Sequence, residues 1–185
     1  MYKSDNFKQL DNETFALKIN TDRDYKILQL TDLHLGFGMF SRKKDRLALR
    51  AVSRIIKRTK PDLIVLTGDS IFPFFPKAGT MNNKRQGELL ISFMDRFAIP
   101  YALVFGNHDC EILAKYRKDK LSDIYSSGEY SIFAKGRKDI YGMGNYFILQ
   151  TAKEELCCRL HFLILICMER VAGFTVALTA YIKTR

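Results

Sequence analysis

What the chain lacks narrows its class first. No apolar run approaches the roughly 18 residues a membrane span needs. The longest, Leu160–Met168, is closed by Glu169 and Arg170, so no membrane partner is expected. The opening MYKSDNFKQL carries no apolar stretch of the kind a signal peptide requires, and a cytoplasmic protein is expected. The four cysteines, Cys110, Cys157, Cys158 and Cys167, contain no CxxC pair. That argues against a disulfide framework and against a thiolate zinc site, leaving reduced, mostly buried thiols. Internal repeats and low-complexity stretches are also missing.

What is present has globular composition, 47% hydrophobic and 27% charged, which rules out disorder throughout. A length of 185 residues fits one domain, or part of a larger one. Thirty basic residues face twenty acidic ones, a net charge of +10. The excess is uneven: between Ser41 and Lys60 nine basic residues accompany one acid, Asp45. Such a field suits an anionic substrate or partner.

Residues 1–24 read as a polar arm, loose or folded into a short edge hairpin, ahead of a domain portion spanning 25–185. From Tyr25 a pattern repeats three times: a short apolar run, small polar residues, then a helical stretch. The strands are Tyr25–Thr31, Asp62–Thr67 and Tyr101–Phe105; the helices are Arg42–Arg58, Lys84–Phe97 and about Cys110 to Arg117. Continuous apolar runs alternating with helices predict an α/β layout with a sheet buried on both faces. The linker IFPFFPKAGTMNN is a loop, and Phe72, Phe74 and Phe75 on it are candidates for substrate contact or for packing beneath it. Beyond Ser122 glycines separate shorter strands, Tyr130–Ala134 and Asn145–Gln150, and Leu156–Met168 reads as another. The pattern is atypical from about residue 151.

Three polar clusters each follow a predicted strand: Thr31-Asp32-Leu33-His34, Gly68-Asp69 and Gly106-Asn107-His108-Asp109. In open α/β sheets the loops at the carboxyl ends of strands converge, so Asp32, His34, Asp69, Asn107 and His108 are expected at one edge. Asp32 and His34, two residues apart in an extended segment, point the same way and form a carboxylate–imidazole chelate. Mixed oxygen and nitrogen donors suit Mn, Fe, Zn or Mg without any thiolate. Each cluster alone has an ordinary reading as a helix cap or turn. Together, 37 and 38 residues apart from Asp32 to Asp69 to Asn107, they read as one site.

In this order DLH, GD and GNHD resemble the first three motifs of the calcineurin-like metallophosphoesterases. The surrounding QLTDLHLG, DLIVLTGDS and VFGNHD are most similar to the branch related to purple acid phosphatases. The resemblance runs from Tyr25 to about Gln150. It implies a sheet sandwich flanked by helices, a two-metal site and hydrolysis of phosphate mono- or diesters. It assigns Asp32 and His34 to the first metal, Asp69 to both and Asn107 to the second. His108 would face the phosphoryl group as a catalytic residue, and Asp109 would orient His108 as an acceptor. Residues that bind the rest of the substrate are not identified.

The family places further histidines in its second half, one isolated and then a Gly-His-x-His. Here only His161 remains, inside RLHFLILIC, and it reads as a strand residue. The fold is therefore expected to be incomplete at its C-terminal end, as in a truncated or frameshifted gene product. The alternatives are an inactive remnant of such an enzyme, or a non-catalytic nucleic-acid binder. The last rests on Arg46, Arg50, Arg54 and Arg58, four apart on one face of a helix whose other face carries Ala48, Val52, Ile55 and Ile56.

Overall fold

Leu63, Ile64, Val65 and Leu66 are all buried, which requires side-chain cover on both faces of the strand they form. The computed structural model supplies it. It describes residues 6–20, 22–111, 113–139, 142–152, 155–162 and 181–184. The elements in chain order are β1 Phe7–Gln9, β2 Thr14–Lys18, β3 Ile27–Leu30, α1 Arg42–Thr59, β4 Leu63–Leu66, α2 Phe75–Ala78, α3 Asn83–Asp95, β5 Tyr101–Leu103, α4 Lys118–Ser127, β6 Ser131–Ile132, β7 Tyr146–Ala152, β8 Glu155–Phe162 and β9 Tyr181–Thr184. They build two sheets, ordered β3-β4-β5-β6 and β1-β2-β7-β8-β9.

The first sheet is parallel throughout, with Ile27 opposite Leu63, Ile64 opposite Tyr101 and Tyr101 opposite Ser131. Right-handed crossovers between successive neighbours put α1, α3 and α4 on one face of it. The other face meets the second sheet. There the Tyr146 hydroxyl donates to the Leu103 carbonyl at 2.8 Å and accepts from the Leu103 amide at 3.0 Å. A line of aromatic contacts crosses the core, from Phe15 to Tyr146, Phe133, Phe105 and Tyr125. The two-layer sandwich with flanking helices is the expected α/β architecture.

The hairpin of β1 and β2 is one of the two forms expected for the N-terminal residues. Only β1 lies at an edge, because β2 pairs antiparallel with β1 and parallel with β7. Phe7, Phe15 and Leu17 are buried, so these residues contribute to the core.

The expected helix from about Cys110 to Arg117 is not there: residues 113–117 form turns and the helix is α4, starting at Lys118. Asn83 explains the delay. Its side chain accepts from the Tyr116 amide at 3.0 Å and donates to the Tyr116 carbonyl at 2.7 Å, satisfying both groups outside a helix. α1 keeps its predicted span but buries a narrower stripe than expected: Val52 and Ile56 are buried while Ile55 and Leu47 are exposed. It ends in the left-handed Lys60, whose amide bonds to the Ile56 carbonyl, directly before Pro61.

The distal part of the predicted Leu156–Met168 strand falls outside the described residues. His161 lies within β8, opposite Phe147, as expected of a strand residue. No helix among the described residues is long and apolar enough to cross a membrane.

Candidate metal centre

β3, β4 and β5 are parallel neighbours, so the loops that follow them leave the sheet at one edge. Beyond the strands the first two loops stay zipped. The Asp32 amide donates to the Gly68 carbonyl at 3.2 Å, His34 to Asp69 at 2.9 Å and Leu35 to Ser70 at 3.1 Å. Keeping that pairing while turning side chains toward one point requires unusual backbone. Asp32, His34 and Asp69 all have positive φ, at 54°, 45° and 50°. Left-handed conformations cost energy for residues with a Cβ and gather at functional sites.

Two glycines let the second and third loops close on each other. A Cβ on Gly106 would stand 2.0 Å from Asp69 Oδ1, and one on Gly68 would stand 3.0 Å from the Gly106 backbone. The lock on this junction is Asp109, which is completely buried. Its carboxylate accepts from the backbone amides of Gly106 at 2.6 Å, Ile71 at 3.0 Å and Asp69 at 3.1 Å. Burial pushes the Asp109 carboxyl up to about 6, against the pull of those amides, and the nearby Asp69 charge adds to the rise. In turn the Asp69 carboxylate accepts from the His108 amide at 2.8 Å.

Donor atoms of His34, Asp69 and His108 consequently lie within 4.8 Å of one another, on partly exposed side chains. One carboxylate and two imidazoles at that separation fit a divalent cation of intermediate hardness. Asp32 is exposed and reaches the group through His34, with Oδ1 3.4 Å from the imidazole Nε2; the Thr31 hydroxyl donates to its other oxygen at 2.7 Å. Asn107 stands exposed between Gly106 and His108. The five predicted residues thus occupy one sheet edge, and three of them form a mutual donor cluster.

Asp109 does not touch the His108 side chain in the way expected. The carboxylate on His108 Nδ1 is that of Glu111, while Asp109 faces the backbone of its own and the Asp69 loop. Sequence reasoning passed over Glu111, although a carboxylate three residues beyond a histidine within a turn was visible as a signal. Phe72 was expected either to touch substrate or to pack. It meets both imidazoles edge-on, 5.4 Å from the His34 ring and 4.9 Å from that of His108. Beside them lies a cavity of about 300 Å³ whose wall includes His34, His108, Phe72 and two lysines, Lys44 and Lys77. The lysines carry no sequence motif; only the fold brings them to the histidines.

A profile of the calcineurin-like phosphoesterases matches residues 25–162. The chain belongs to this family. A relative named probable inactive purple acid phosphatase 28, from Arabidopsis thaliana, is 36% identical over 108 residues, covering 51% of this chain and 26% of that protein. Phosphatase DCR2 of Saccharomyces cerevisiae is 30% identical over 162 residues, covering 78% of this chain and 27% of its own length. The chain therefore spans about a quarter of the length of the curated relatives it matches. No solved structure matches it significantly.

Proposed function

We propose that this chain carries the metal-binding face of a phosphoesterase that hydrolyses phosphate mono- or diesters. The observation that supports it most directly is the convergence of His34, Asp69 and His108 from three separate loops. In this reading Asp32, His34, Asp69 and Asn107 would hold divalent metal. Metal bound there supplies positive charge to phosphoryl oxygens and lowers the pKa of coordinated water.

The chain's own groups do the positioning. Asp109 fixes the backbone of the Asp69 and Gly106 loops, so the Asp69 carboxylate is held rather than free to rotate away. Glu111 engages His108 Nδ1, which leaves Nε2 as the ring nitrogen that can hold or give a proton at the leaving group. Phe72 restrains both imidazoles from the side. Lys44 and Lys77 line the adjoining cavity and place two positive charges where a phosphate would enter.

The test is hydrolysis of chromogenic phosphate mono- and diesters with added Mn, comparing wild type with Asp69→Asn. Metal-dependent turnover that disappears in the variant supports the proposal; equal inertness of the two metal-loaded proteins refutes it for this chain. A second reading, an inactive member of the family, is favoured by the three-donor cluster, a set sufficient for one ion. It expects at most one weakly held ion per chain. Two tightly bound ions in a calorimetric titration would exclude it.

A further inference from the structure

The most concentrated charge lies away from the metal centre, in a groove of about 1170 Å³ between α1 and α3. Arg42, Arg46, Arg50, Arg54 and Lys57 line it from α1, Arg85 lines it from α3 and Arg96 from the position that caps the end of α3. All seven are exposed, and none forms an ion pair with a carboxylate among the described residues. The one acid in the lining, Asp45, is buried and occupied. It accepts from the amides of Gly36 and Phe37 and from the Ser41 hydroxyl. The lining therefore keeps a large excess of positive charge, seven basic side chains against one acid.

A solvated helix needs no such arrangement on a concave surface. Cations facing one another across a groove repel, and the arrangement is relieved only when an anion enters. The repeat on α1 narrows the choice of anion. Successive arginines four residues apart rise by about 6 Å, and the run from Arg42 to Lys57 extends about 22 Å. A single phosphate group would use one or two of these cations, whereas an evenly charged polymer can use the whole row. Arginine forks bind phosphate oxygens in pairs. Leu49 and Phe93 in the same lining add an apolar surface on which bases can rest.

We propose that the α1–α3 groove binds single-stranded nucleic acid along its phosphate backbone. This binding is independent of phosphoester hydrolysis. Its test is run with the metal removed by chelation, so that failure of either reading leaves the other standing.

The experiment is fluorescence anisotropy of the full chain with a labelled oligothymidylate of about 12 nucleotides, across about 50 to 200 mM salt. The variants are Arg50→Ala/Arg54→Ala/Arg85→Ala in the groove and, with the same loss of charge, Lys18→Ala/Lys120→Ala/Lys138→Ala outside it. The groove variant is expected to lose about tenfold or more in affinity, and its salt slope to flatten by about 2, since each phosphate contact contributes about 0.7. The control variant should stay within about twofold of wild type. Matching thermal melts for all three proteins exclude misfolding. Equal losses in the two variants, absence of binding, or equally tight binding of an acidic peptide or anionic vesicles would each overturn the proposal.

Discussion

Replacing Asp109 with alanine removes a fully buried side chain that joins the Asp69 and Gly106 loops from inside. Its carboxylate is completely buried and accepts three backbone amides, that of Ile71 buried and those of Asp69 and Gly106 partly buried. Each orphaned buried donor costs roughly 1–3 kcal/mol, and because the three share one acceptor the losses do not simply add, giving about 3–5 kcal/mol in total. For a chain of this size that corresponds to a fall of about 6–20 °C in Tm. The assay is a thermal melt followed by circular dichroism in chelator, so that bound metal contributes nothing to the difference. Asp32→Ala is the matched control, because its side chain is 58% exposed and its loss should move Tm by no more than about 2 °C. The same two proteins should differ from wild type in Mn affinity, Asp109→Ala through displacement of the Asp69 loop and Asp32→Ala through loss of a donor. An Asp109→Ala protein that melts within about 2 °C of wild type would refute the account of Asp109 as the internal lock.

Gly106→Ala should displace the Asp69 loop by crowding alone, since the added Cβ would meet Asp69 Oδ1 at 2.0 Å and its backbone nitrogen at 2.3 Å. A cost of about 1–3 kcal/mol is expected, with Mn affinity lowered by tenfold or more in electron paramagnetic resonance titration; unchanged affinity would contradict the packing of the two loops. At the opposite end of β4, the Arg23 guanidinium holds the Asp62 carboxyl below its ordinary value of 3.8, assisted by the Lys26 amide. A depressed folded-state value means that the contribution to stability is present above pH 3.8 and is lost as pH falls through the folded value. The stability difference between wild type and Asp62→Asn, followed by urea unfolding, should therefore shrink on acidification, and a difference that grew would reverse the sign of this linkage.

Particular elements show how far the linear pattern reached. β4 was legible because a fully apolar run flanked by small polar residues has few alternatives to a strand buried on both sides. α1 was legible from its spacing, yet its exposed Ile55 shows that spacing identifies a helix more securely than it identifies which side is covered. The turn at residues 113–117 was read as helix because local propensity carries no information about Asn83, more than thirty positions away, which captures Tyr116 instead. Glu111 and Asp109 exchanged the role expected of one of them for the same reason. Both carboxylates lie near His108 in the chain, but the amides of Asp69 and Ile71 draw Asp109 inward and leave Glu111 as the carboxylate on the His108 ring.

By itself the sequence determined the alternation of strand and helix from β3 to β5, the sheet class and the five polar residues that reach the carboxyl edge of the sheet. These follow from periodicity and from short segments whose chemistry is local. Only the tertiary structure decided that His34, Asp69 and His108 form a mutual cluster, that Lys44 and Lys77 face it, and that Arg85 and Arg96 stand opposite the α1 arginines. Those outcomes depend on left-handed turns, on glycines at a loop crossing and on the separation of two helices. Each is a relation between distant segments, fixed by packing that no single stretch of chain encodes.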